Sequence, residues 1–124
     1  MTRAELENLI KVEFNLNNEE KFTKLFMFFG LLIEANKTMN LTTIVEMEDV
    51  YTKHFYDSLL LSKCVNLNTR MSLLDIGSGA GFPGIVLKIC YPLLDITLLE
   101  PTTKRCYFLN SVIKELDLKG PVLR

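Results

Sequence analysis

Four glycines fall within eight residues, from Gly77 to Gly84, directly behind an apolar run and directly before a helical pattern. That order restricts the chain to a strand, a tight turn and a helix in succession. Glycine takes positive φ without a Cβ penalty and lets backbone come close to a ligand. A helix that starts behind such a turn aims free N–H groups and its positive dipole end at whatever binds there. We therefore expect a buried strand over Ser72 to Ile76, a nucleotide-type cradle, and a helix from Phe82 to Tyr91. Pro83 falls in the first turn of that helix, where a missing N–H costs nothing.

The flanking segments extend this pattern. Hydrophobic spacing predicts a short helix over 3–14 and a second over 19–37, the latter with a stripe of Phe22, Leu25, Phe26, Phe29, Leu32 and Ile33 that Met27, Phe28 and Leu31 widen. Asn18 before Glu19-Glu20 reads as its N-cap. A third helix is expected from about Met47 to Cys64, with Val50, His54 or Phe55, and Leu59 to Leu61 on its apolar side. After the glycines, Leu94 to Glu100 reads as a strand that ends on an acid. Thr102 then caps a helix over 103–116, and Pro121 to Arg124 starts another strand. The fold class is α/β, a parallel sheet with right-handed helical crossovers preceded by a helical segment. We divide it into the helical segment 1–70 and the first half of a Rossmann-like domain over 71–124. Three strands make an incomplete sheet of this kind, so we expect the N-terminal part of a longer protein.

Composition excludes several classes of function. A formal net charge of −1 gives no global attraction to nucleic acid or anionic membrane. The longest apolar run, Leu25 to Ile33, has nine residues, too few for a membrane span. The N-terminus is polar and carries an acid, unlike a signal peptide, and a cytoplasmic location is expected. Cys64, Cys90 and Cys106 are odd in number and widely spaced, which suits buried thiols better than disulfides or a metal site.

The glycine spacing selects the ligand. A dinucleotide fingerprint needs G-x-G-x-x-G, but the third of those positions is Phe82. The actual pattern, Asp75-x-Gly77-x-Gly79-x-Gly81, resembles the loop of Rossmann-like methyltransferases that use S-adenosylmethionine. That ligand has an adenosine and a charged amino-acid tail but no pyrophosphate, and Asp75 could meet its ammonium directly or through water. Glu100 ends the second strand 23 residues after Gly77, where an acid can accept both ribose hydroxyls. A nicotinamide-binding protein would use the same acid, so Glu100 supports adenosine binding without choosing the cofactor.

Further motifs narrow the resemblance. Asn40-Leu41-Thr42, His54-x-x-Asp57-Ser58-Leu59, the loop from Asp75 through Phe82-Pro83-Gly84, and Lys104-Arg105-x-x-Phe108-Leu109 occur in this order. Together they resemble the bacterial small-subunit ribosomal RNA guanine methyltransferase family, also called glucose-inhibited division protein B, over about residues 20–124. The resemblance implies methylation of a guanine on an imidazole-ring nitrogen, with S-adenosylmethionine as cofactor, the small ribosomal subunit or its RNA as partner, and no metal. It implies cofactor contacts from Asp75, Gly77, Ser78, Gly79, Gly81, Phe82, Glu100 and Thr102. One departure is Glu100-Pro101-Thr102 where the family usually has Asp-Ser; the acid is kept and Thr102 can replace the serine hydroxyl.

The attacked nitrogen already has an in-plane lone pair, so neither a nucleophilic residue nor an obligatory base is expected. Asn40, His54 and Asp57 are then substrate-side candidates. The alternatives are a turn-forming asparagine and a histidine–aspartate pair that ties the helical layer to the loop. Lys104 and Arg105 open a helix against the dipole preference, and with Arg124 they are candidates for RNA phosphate contacts or simply a solvated face. Two rival functions stay open at this point: a nicotinamide-dependent oxidoreductase, and a non-catalytic adenosine- or RNA-binding module.

Overall fold

Thr2 and Asn18 open the first two helices. Each lies in extended backbone at the N-cap and accepts an amide N–H three residues on, Glu5 N to Thr2 Oγ1 at 3.2 Å and Lys21 N to Asn18 Oδ1 at 3.0 Å. Helix α1 runs Arg3–Glu13 and α2 runs Glu19–Met39. The computed structural model describes residues 1–41, 49–120 and 122–123. The expected start of the third helix, near Met47, lies outside them, as does Arg124. In α2 the buried positions are Phe22, Leu25, Phe28 and Leu32; Phe28, expected to widen the stripe, is buried, whereas the stripe members Phe26, Phe29 and Ile33 are only partly buried.

The next helical segment, α3 over 50–63, changes its winding twice. Val50–Tyr56 is π-helical, Asp57–Leu59 is α-helical and Leu60–Lys63 is a 3₁₀ turn. Changes in winding rotate the side chains away from a constant 3.6-residue stripe. Val50, Tyr51, Phe55, Ser58 and Leu59 are buried, whereas Leu60 and Leu61, expected on the apolar side, are exposed. Tyr56 ties this segment to α1 through its hydroxyl, which donates to Glu13 Oε1 at 2.9 Å.

Three parallel strands follow in the order β1-β2-β3, with β1 Ser72–Ile76, β2 Asp95–Leu99 and β3 Val122–Leu123. Ser72 pairs with Asp95 and Ile76 with Leu99; on the other side Leu98 pairs with Leu123. Helix α4, Gly84–Cys90, connects β1 to β2, and α5, Thr103–Glu115, connects β2 to β3. The α/β class and parallel sheet expected from the sequence are therefore present. The expectation that β1 is buried is not met. Of its five residues only Asp75 is buried, while Leu74 is 56% and Ile76 74% exposed. Alternation explains this: Leu73, Asp75, Ile96 and Leu98 face the helices, and Leu74, Ile76 and Leu99 face the other way.

Phe28 links the helical layer to the loop after β1. Its ring lies 5.2 Å from Phe82, 5.8 Å from Phe55 and 6.4 Å from Phe108, centroid to centroid. Helix α4 is buried along its whole length, Lys88 included. Lys88 Nζ donates to the carbonyls of Pro92 at 2.8 Å and Leu94 at 2.7 Å, which satisfies the turn into β2. Burial pushes the Cys90 thiol up to about 12, against the opposing charge of Lys21. Cys90 is thus the inert thiol expected, but Cys64 is exposed and Cys106 half-buried.

Candidate functional site

The glycine loop hangs from the end of β2. Gly77, Gly79 and Gly81 all take positive φ, at 72°, 57° and 106°. Gly77 N and Ser78 N both donate to Leu99 O, at 2.8 and 3.2 Å. Gly79 N donates to Glu100 Oε1 at 2.8 Å, and Gly81 N to Ser78 O at 2.8 Å. Four loop N–H groups are thus used within the protein, and the expectation of free amides at the start of the following helix is corrected at two positions, since Gly84 N donates to Asp75 Oδ2 and Ile85 N to Gly81 O. The turn needs those bonds to hold three left-handed residues together. A loop with its donors so engaged is poorly equipped to wrap a pyrophosphate.

Asp75 and Ser78 face inward. The Asp75 carboxylate accepts the Gly84 N–H at 3.0 Å, and the buried Ser78 hydroxyl donates to Asp75 O at 3.1 Å. Asp75 thus caps α4 from β1, and the helix begins at Gly84, not at Phe82 as the spacing suggested. Pro83, after a cis peptide bond, occupies the N-cap. Only glycine fits at 84, because a Cβ there would strike Leu98 Cδ2 and come within 2.7 Å of Asp75 Oδ2. Burial raises the Asp75 pKa, the Gly84 N–H and Ser78 hydroxyl oppose the rise, and the Glu100 charge adds to it.

Glu100 sits at the mouth of the loop, nearly buried at 4% exposure. Its second oxygen accepts the Thr102 N–H at 2.9 Å. Burial alone would raise its pKa, but the N–H groups of Thr102 and Gly79, the Thr102 hydroxyl and the nearby Arg105 charge outweigh it and hold the carboxylate below its ordinary value. Thr102 stands at the N-cap of α5 as expected, yet its side chain makes no capping bond to the helix. The half-buried Cys106 thiol donates to Glu100 O at 3.0 Å, a contact that spacing alone gave no reason to expect.

Beside the loop, a cleft of about 240 Å³ is lined by Lys53, His54, Asp57, Ser58, Phe82 and Pro83. His54 stacks on Phe82 with ring centroids 4.2 Å apart and planes inclined by 12°. Phe82 is held from behind by Phe28 and Phe55, so it joins the core to the cleft. Burial lowers the His54 pKa, and the charge of Asp57 opposes that. The structure therefore brings His54 and Asp57 together as the sequence suggested. Lys53 was missed, although the i, i+4 pairs 53/57 and 54/58 carried the signal.

The remaining candidates are dispersed. Asn40 ends α2 in the left-handed conformation, with φ 52°, and is not among the residues lining the cleft. Lys104 is exposed in the first turn of α5. Arg105 turns partly inward; its Nε is buried without a hydrogen-bond partner among the described residues, and its charge reaches Glu100. Among the described residues no group of three potential metal ligands converges, and no helix is long and apolar enough to cross a membrane.

A glycine loop behind the first strand of a parallel sheet, tied to a carboxylate that ends the second, is the architecture of part of a methyltransferase fold. The chain belongs to the family described as rRNA small subunit methyltransferase G, which matches residues 21–123. It is similar to Ribosomal RNA small subunit methyltransferase G of Staphylococcus carnosus, 42% identical over 115 residues, 93% of this chain and 48% of the relative. The protein of that name from Lachnoclostridium phytofermentans is 50% identical over 103 residues, 83% of this chain and 43% of the relative. That from Mesoplasma florum is 50% identical over 102 residues, with 82% and 43% covered. The chain spans about half the length of the relatives it matches.

Proposed function

We propose that this chain supplies the cofactor-binding part of an S-adenosylmethionine-dependent methyltransferase acting on an imidazole-side ring nitrogen of a guanine in small-subunit ribosomal RNA. Family membership and the names of the relatives support the RNA substrate and the methyl transfer. The observation that carries the choice of cofactor is the glycine loop, whose third glycine is Gly81 with Phe82 behind it and whose amides are engaged within the protein, while the Glu100 carboxylate, fixed by Gly79 and Thr102, supports an adenosine ribose. Each carboxylate oxygen can accept more than one hydrogen bond, so a ribose diol can be added without releasing the loop. Above Gly77 an added Cβ would meet nothing within 4 Å among the described residues, so the loop backbone there is open to a ligand. These features fit an uncharged nucleoside with a cationic tail better than a dinucleotide.

When bound, S-adenosylmethionine supplies an electrophilic methyl group on a sulfonium. Gly77, Gly79 and Gly81 would shape the surface against its amino-acid end, Glu100 would accept the ribose hydroxyls, and Thr102 would border the adenosine. Asp75 and Ser78 would act through the loop, since both are committed to bonds inside it. His54, Phe82 and Asp57 would border the guanine. A ring nitrogen with a free lone pair needs no base, and the lowered His54 pKa keeps that imidazole uncharged beside a purine that gains positive charge. Lys104 and Arg105 are proposed to face the RNA, with Arg105 also sustaining the charge on Glu100. We place the reaction in the cytoplasm, on the small subunit or its RNA. Replacing Gly77 by arginine in cells that carry this protein tests the function. Mass spectrometry of their small-subunit RNA should show the loss of one methylguanine, and unchanged methylation would overturn the proposal.

A further inference from the structure

Where α4 ends, the chain builds a second recess, of about 220 Å³. Its walls come from the first turns of α2, the end of α4 with Pro92, and the turn after α5. The glycine loop lies where β1 and β2 finish, and this recess lies where β2 starts, so the two occupy opposite ends of the sheet. Lys21, Lys24, Lys88 and Lys119 line the recess together with Glu20 and Asp117, four cations against two anions.

The cations form two kinds of contact. Lys24 pairs with Glu20 at 3.5 Å and Lys119 with Asp117 at 2.9 Å, on the outside. Lys21 and Lys88 instead donate to neutral carbonyls: Lys21 Nζ to Cys90 O at 2.7 Å, and Lys88 Nζ to Pro92 O and Leu94 O. Neither makes an ion pair among the described residues. An ammonium has three donors, so both retain N–H capacity beyond these bonds. The carbonyls fix two long, flexible side chains at defined points, which removes part of the entropy that anion binding would otherwise cost. Lys88 is deeply buried and feels the Asp95 carboxylate, so Lys21, placed by a single carbonyl bond, is the positioned cation of the recess best able to take a compact oxyanion.

We propose that this recess takes a phosphate group of the RNA substrate's backbone, as a contact remote from the methylated base. The proposal rests on the RNA-substrate reading above. A strand is favoured over a small free anion because the two rim pairs, Lys24–Glu20 and Lys119–Asp117, can open toward neighbouring phosphates. With a net chain charge of −1, affinity for a polyanion must come from local clusters of this kind.

The test is fluorescence anisotropy of a labelled small-subunit ribosomal RNA transcript with the 124-residue chain over a series of salt concentrations. Lys21→Gln should weaken binding several-fold and reduce the salt slope by about one. The double variant Lys24→Gln/Lys119→Gln alters only exposed or half-exposed side chains and should reduce the slope by about two if both rim lysines reach phosphates. Lys37→Gln, at the far end of α2, should bind like the parent. If the parent binds no RNA, the RNA-substrate reading falls and this proposal with it. If the parent binds and both the Lys21 and the double variants keep its affinity and slope, only the recess assignment is overturned. Inorganic phosphate that shifts the Lys21 and Lys119 amide resonances without competing with RNA would identify a small-anion site and refute the backbone contact.

Discussion

Glu100 Oε1 accepts the Gly79 N–H at 2.8 Å, so the residue assigned to the ribose also holds the loop that would receive the ligand. The Thr102 N–H on its other oxygen makes the carboxylate a clamp between loop and helix. The Glu100 pKa is depressed in the folded chain, so its contribution to stability is present above the ordinary value and is lost as pH falls through the folded one. Glu100→Gln should lose about 1–2 kcal/mol at neutral pH and flatten this acid-dependent loss. Urea denaturation from pH 7 down to pH 3 measures both, and a variant that retains the parent's acid profile would contradict the clamp.

Asp75 has the opposite sign. Burial raises its pKa, so the ionised form is penalised in the folded state, and its stabilising contribution is lost as pH rises from the ordinary value through the folded one. An amide in place of this carboxylate would keep an oxygen for the Gly84 N–H without the charge. Asp75→Asn is therefore expected to leave the thermal midpoint at pH 7 unchanged or higher. A clear drop would mean that the carboxylate's charge is needed at the α4 N-terminus.

The chain has one histidine, which makes His54 accessible to a direct titration. Its proton NMR midpoint should fall below the ordinary 6.5, because burial against Phe82 disfavours the cation. Asp57→Asn removes the opposing charge and should lower the midpoint further. A midpoint above 6.5 in the parent would show that the imidazole is ion-paired and not packed.

Gly77 and Gly81 share positive φ but differ in surroundings. A Cβ at Gly81 would lie 2.8 Å from Ile85 Cγ1 and 3.0 Å from Phe28 Cζ, whereas Gly77 has open space. Gly77→Ala should cost about 1–2 kcal/mol for the backbone alone. Gly81→Ala should cost about 1–3 kcal/mol more, from overpacking against the aromatic cluster. Equal denaturation midpoints for the two variants would show that the cluster yields freely.

The element order was legible because each helix and strand carries its own period, and the glycine loop could be read because three left-handed residues in a row of alternating glycines have few alternatives. What could not be read was direction. Asp75 and Ser78 belong to the loop by spacing, but only the fold shows that their polar groups turn toward Gly84 and the strand instead of outward. The exposure of Leu74 and Ile76 depends on which sheet face the helices cover, and an apolar run contains no such information. Leu60 and Leu61 were misassigned because a π turn and a 3₁₀ turn shift the face of α3, and neither leaves a mark in hydrophobic periodicity. His54 and Asp57 both line the cleft, as their closeness in sequence suggested.

The most direct measurement is calorimetric titration of the chain and of Glu100→Ala with S-adenosylmethionine and, separately, with NADH. The parent should bind S-adenosylmethionine, Glu100→Ala should bind it about tenfold or more weakly through loss of charge-assisted hydrogen bonds, and NADH should give no heat of binding. Binding of NADH in place of S-adenosylmethionine, or undiminished S-adenosylmethionine affinity in Glu100→Ala, would contradict the assignment of this loop and its carboxylate to a methyl-donor nucleoside.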